Sequence, residues 1–135
     1  MDNGLVRDLS AVARALEGGR EQVVDARPAA RFRGEAPEPR SGLRSGHMPG
    51  ARNVPSASLF APDGTLLPKE ALARLFADAG VDVSKPIVTS CGSGITACLL
   101  ALALARLGRW RTAVYDGSWA EWGAAEGAAV AQGAA

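Results

Sequence analysis

Apolar positions along this chain recur with two different periods, and the switch between them marks out the elements. Between residues 8 and 17, Leu9, Val12, Ala13 and Leu16 fall three or four apart. That spacing predicts an amphipathic helix entered at Asp8 and closed by Gly18-Gly19. "EQVVDA" is a short apolar run and predicts a buried strand ending at Asp25. Residues 27–52, rich in Pro, Gly and Arg, predict a long ordered loop, and "RNVP" a short strand after it. "LLPKEALARLFADAG" returns to helical spacing, with Pro68 near its start and Gly80 past its end. "PIVTS" predicts a second buried strand. Residues 96–107 predict a helix apolar nearly all round, hence covered on both sides, and stopped by Gly108. "TAVYDG" predicts a third strand, and "SWAEWGA" a loop or short helix.

Strands alternating with helices predict an α/β fold, with a mostly parallel central sheet and helices on both faces. Ligand sites in such folds lie at the carboxyl ends of the strands. Asp25, Cys91 and Asp116 each end a predicted strand and should meet on one edge of the sheet. Residues 1–123 are read as one domain. The tail from Ala124 to Ala135, "AAEGAAVAQGAA", is low in complexity and is expected to fray.

Composition narrows the function classes. A chain of 135 residues with 47% hydrophobic content suits one folded domain with a real core. A net charge of +1 points to neither nucleic acid nor a membrane surface as partner. Two cysteines seven apart and a single His form no disulfide framework and no metal-ligand pattern. The first 19 residues lack the apolar stretch of a signal peptide and carry Asp2, Asp8 and Glu17, unlike a transit peptide. The longest apolar run, Ile95 to Ala105, is too short to span a bilayer. These features together are read as a soluble intracellular chain.

The candidate chemistry lies in "CGSGITA", residues 91–97. Cys91 follows a strand and precedes a helix, and Gly92 and Gly94 permit the sharp turn between them. Free N–H groups and the positive dipole end of a helix starting near Thr96 favour a thiolate or a bound anion without any charged neighbour. The alternative is a small buried hydrophobe at a tight turn; the Gly-x-Gly turn before a helix start favours the reactive reading. A cysteine phosphatase needs Arg six residues after the cysteine to clamp phosphate, and here that residue is Ala97. Sulfur transfer through a persulfide fits the same loop, because the persulfide is an anion that a ring of loop N–H groups suits.

Over most of its length the chain resembles the catalytic domain of two-domain rhodanese-type sulfurtransferases. The resemblance rests on "VVDARPAARFRGEAPEPRSGLRSGHMPGARNVP", "CGSGITA" and "VYDGSWAEWG", and runs from about residue 5 to 123. "CGSGITA" is similar to the loop of the 3-mercaptopyruvate enzymes, whereas thiosulfate-specific relatives have Arg and Lys where this chain has Gly92 and Ser93. The resemblance implies a rhodanese-like domain and no cofactor. It implies Cys91 as sulfur-carrying nucleophile within a persulfide loop of Gly92, Gly94, Ile95 and Thr96, and Arg31 and Arg40 as substrate-binding arginines. Ser93 is implied as part of a Ser-His-Asp relay whose His and Asp belong to a preceding domain that this chain does not contain; the other reading of Ser93 is turn geometry. Implied partners are a small-molecule sulfur donor, a thiol acceptor such as thioredoxin, and that N-terminal rhodanese domain. The implied compartment is the cytoplasm, or the mitochondrion for a longer form. Thiosulfate as donor, and a rhodanese module that binds without turnover, are the alternatives. Arg27 is expected to brace the loop, His47 to cap loop backbone, and Arg33, Arg44 and Arg52 to form surface ion pairs. Asp25 and Asp116 are expected to pair with arginines, Trp119 and Trp122 to pack the last segment onto the core, and Cys98 to be structural.

Overall fold

A computed structural model describes residues 6–18, 21–39, 42–92, 96–108 and 112–133. Five strands form one sheet: β1 (Val6–Arg7), β2 (Gln22–Asp25), β3 (Arg52–Asn53), β4 (Ile87–Ser90) and β5 (Ala113–Tyr115). Their order is β1-β5-β4-β2-β3, and every pair is parallel. β4 is therefore the central strand. Its four residues are all buried, in line with a strand covered on both faces. Asp25 is in register with Ser90, so the carboxyl ends of β2 and β4 finish side by side, and Cys91 is the next residue out of the sheet.

Side chains alternate along the strands and feed two separate cores. One joins Val24, Ile87 and Cys91 to Leu72 and Phe76 of α3 (Lys69–Asp78), and to Leu100, Ala103 and Leu104 of α4 (Ala97–Arg106). The other joins Val23, Val88, Ala113 and Tyr115 to Val12 of α1 (Leu9–Gly18), to Phe32 of α2 (Ala29–Phe32), and to Trp119 and Trp122 of α5 (Ser118–Trp122). Helices thus cover both faces, as the alternation of periods predicts.

The structure differs from the sequence reading in four places. Residues 29–32, expected as loop, make one helical turn behind Pro28, whose fixed φ starts the turn. β1 is two residues long, too short for periodicity to reveal. α4 is not covered all round: Leu102 is 55% exposed and Cys98 is exposed, so Cys98 is a surface residue rather than a core one. The sheet meets only one face of that helix.

The fourth difference is the tail, which is docked rather than frayed as far as residue 133. Ala131 and His47 exchange two backbone hydrogen bonds of 2.9 and 2.8 Å, and Gly133 donates to the Arg33 carbonyl at 2.9 Å. The Arg44 guanidinium donates to the carbonyls of Trp122, Gly123, Ala125 and Ala128. Arg44 is therefore a clamp on backbone and not a surface ion pair. Gly46 makes the close approach possible: its φ is +126°, and a Cβ there would fall on the Ala131 carbonyl oxygen.

Candidate active site

The site forms where β2, β4 and β5 end. Cys91 is fully buried. Its backbone is held by the start of α5: the Cys91 N–H donates to Ser118 Oγ at 3.0 Å. In return Trp119 N–H donates to the Cys91 carbonyl at 2.8 Å, and Ala120 N–H to that of Gly92 at 2.9 Å. The amides at the start of α5 have no intrahelical partner, so spending two on the cysteine loop satisfies both segments at once. Ser118 Oγ also lies 3.8 Å from Cys91 Sγ. α4 begins six residues after Cys91, its N-cap Thr96 makes no side-chain cap, and its positive dipole end faces the cysteine loop.

Beside this loop is a cavity of about 430 Å³ whose lining includes Arg27, Arg31, Glu38, Gly92 and Thr96. Arg27 is 1% exposed and forms a fork onto Asp25, with hydrogen bonds of 2.8 to 3.1 Å. It donates a further one to the Gly46 carbonyl at 2.7 Å and lies 4.2 Å over the Trp119 ring. A buried guanidinium needs such pairing to offset its lost hydration, and Arg27 ties β2, the long loop and α5 together. The Arg31 side chain is 24% exposed. Its Nε and Nη2 both reach Glu38, at 3.2 and 2.9 Å, while Nη1 has no partner among the described residues. The Glu38 side chain, 1% exposed, also takes Arg27 Nη1 at 3.3 Å. Arg31 Nη2 stands 2.9 Å from where a Cβ on Gly92 would be, so the guanidinium lies directly over the loop backbone.

The other expected residues fall as follows. Arg40, Ser93, Gly94 and Ile95 lie outside the described residues. His47 is buried, stacked 3.8 Å from the Phe32 ring with Nδ1 2.7 Å from the Phe32 carbonyl. Asp25 pairs with Arg27, whereas Asp116 is exposed and has no ion pair among the described residues. Arg33 forms an exposed pair with Glu35 at 3.2 Å. Arg52 has no ion pair among the described residues; it lies against Gly80. Trp119 and Trp122 pack into the second core, and their indole N–H groups donate to the Arg44 and Ala129 carbonyls.

Sequence reasoning missed Ser118 and the double pairing of Glu38. A serine after Asp-Gly signals a turn, but nothing in the letters says that the turn folds back onto the cysteine. Glu38 was visible as one of two acids in an arginine-rich loop; its burial was not.

A cysteine just past the carboxyl end of the central strand of a parallel sheet, its loop held by backbone amides and a helix start, defines an α/β domain suited to an anionic sulfur. The chain belongs to the rhodanese-like domain family, whose profile matches residues 8–125. It is 48% identical over 118 residues to thiosulfate/3-mercaptopyruvate sulfurtransferase 1, mitochondrial, of Arabidopsis thaliana, a match covering 87% of this chain and 31% of that protein. It is 42% identical over 122 residues to human 3-mercaptopyruvate sulfurtransferase, covering 90% and 41%. The crystal structure of Tum1 from Saccharomyces cerevisiae matches with a TM-score of 0.86 at 31% identity, covering 98% of this chain and 48% of that one. The chain thus spans 31–48% of these relatives' length.

Proposed function

We propose that this chain carries the cysteine half of a sulfurtransferase that takes sulfane sulfur from 3-mercaptopyruvate. The Cys91 thiolate attacks the substrate sulfur and an S–S bond forms. The C–S bond breaks with its electron pair going to carbon, and the resulting enolate takes a proton to become pyruvate. Cys91 is left as a persulfide, from which a thiol, cyanide or a reduced thioredoxin removes the outer sulfur. No cofactor enters this sequence. The compartment is the cytoplasm, or the mitochondrion for a longer form; the name of the Arabidopsis relative supports the second.

The observation that carries the reading is the loop of Cys91, held from outside by α5 and bordered by a cavity with Arg31 over Gly92. Mercaptopyruvate has a single carboxylate set apart from its sulfur, so an arginine at the cavity wall can grip one end while the loop receives the other. Thiosulfate, the other donor in the Arabidopsis relative's name, is a dianion. Arg27 faces Asp25 and Arg27 and Arg31 both face Glu38, so these groups offer a dianion little net charge. The space above Gly92, where thiosulfate-specific relatives have a cationic side chain, is filled by Arg31.

Pyruvate release with a thiol acceptor tests the reading. The wild-type chain is expected to release pyruvate, alone or with an added N-terminal rhodanese domain, and Cys91→Ser to release none. Full release by Cys91→Ser would refute the role of Cys91.

A further inference from the structure

Ser118 is the only non-glycine among the described residues with a positive φ, at 50°. It is fully buried. A residue with a Cβ is held in this region at a cost, and such strain persists only where the surroundings fix it. Here Cys91 N–H donates to Ser118 Oγ, while the two amides after Ser118 donate to the carbonyls of Cys91 and Gly92. Glycine would adopt the same φ without strain, so what the strained residue adds is its hydroxyl.

That hydroxyl has one hydrogen and two acceptors in reach. The Tyr115 carbonyl is at 2.9 Å and Cys91 Sγ at 3.8 Å. The first is the better bond while the sulfur is neutral. A charged acceptor makes a hydrogen bond about twice as strong as a neutral one, and a hydroxyl hydrogen rotates to suit its acceptors.

We propose that Ser118 is a positioning residue for sulfur transfer, its hydroxyl hydrogen turning from the Tyr115 carbonyl to Cys91 Sγ whenever that sulfur is a thiolate. The inference rests on the reading of Cys91 as the sulfur-carrying thiol. No bond to Ser118 is made or broken, and its proton stays on the hydroxyl throughout. When the persulfide forms, negative charge moves to the outer sulfur and the hydrogen returns to the carbonyl. The same hydroxyl accepts from the Cys91 N–H in both states, so the loop keeps its place while the charge changes.

The test uses Ser118→Ala and Ser118→Gly in the full chain with Cys98→Ser, leaving Cys91 as the only thiol. The pH dependence of iodoacetamide alkylation is read by intact mass, and single-turnover persulfide formation from 3-mercaptopyruvate is followed beside it. Both variants are expected to shift the alkylation profile upward by about one pH unit and to slow sulfur uptake near neutral pH by about tenfold. The concentration of donor needed for half-maximal rate should not change. Ser118→Gly relieves the strained φ, so a wild-type profile in that variant would overturn the proposal and leave backbone strain as the whole effect. Alkylation needs no sulfur donor. A chain that shows the shift but never gains sulfur, even with an added N-terminal rhodanese domain, would retain the serine–thiol contact and sink the sulfurtransferase reading instead.

Discussion

At the scale of single residues, the site is governed by which polar groups already have partners. Arg31 is pinned by Glu38 over the Gly92 backbone, and its Nη1 has no partner among the described residues. Gly92→Ala would place a methyl 2.9 Å from Nη2 and push the guanidinium aside. We expect this variant to raise KM for 3-mercaptopyruvate roughly tenfold, the equivalent of about one charged hydrogen bond, with kcat changed less; an unchanged KM would take Arg31 out of substrate binding. Tyr115 gives a pH prediction. Burial first, then its hydrogen bond to Glu121, raises its phenol above the ordinary 10.0. A group whose folded pKa is raised contributes stability that is fully present below the unfolded value and is lost as pH rises above it. The chain has one tyrosine, so phenolate absorbance isolates it. The phenolate signal should rise together with unfolding above about pH 10. A phenolate that forms near pH 10 with the fold intact would contradict this.

At the scale of elements, α5 and the tail act as a brace for the cysteine loop. α5 donates two amides to the loop, Arg44 clamps the carbonyls that follow α5, and Ala131 pairs with His47. Arg44→Ala should cost about 2–3 kcal/mol in urea unfolding, because several carbonyls lose one charged donor together. The amides of His47 and Ala131 should exchange slowly in the wild type and quickly in the variant. Rapid exchange of both in the wild type would return the tail to the frayed state its composition suggests. Alanine and glycine carry no side-chain signal for docking, so the tail's order was not legible. It is set by Gly46 and Arg44, about eighty residues away in sequence. The long elements were legible, because α1, α3 and α4 each bury one stripe and β4 buries every residue. Short elements were not: β1 and α2 are held by the strands and cores they join rather than by their own pattern.

At the scale of the whole molecule, the parallel order of the sheet does the assembling. It brings the ends of β2, β4 and β5 to one edge and puts Cys91 at the centre. That convergence could be read from alternating strands and helices. The partners of the arginines, and the return of Ser118 to the cysteine, are contacts between distant segments that spacing does not encode. The relatives are two to three times longer than this chain, so turnover tests both the site and its context. The proposed role of Cys91 is narrower than turnover: it accepts sulfur from 3-mercaptopyruvate. The deciding experiment is intact mass after brief exposure to that donor, with thiosulfate in parallel. A gain of one sulfur atom on Cys91 is expected with mercaptopyruvate, removed by an added thiol. A gain with thiosulfate alone, or none with either donor even after a separately expressed N-terminal domain is added, would contradict it.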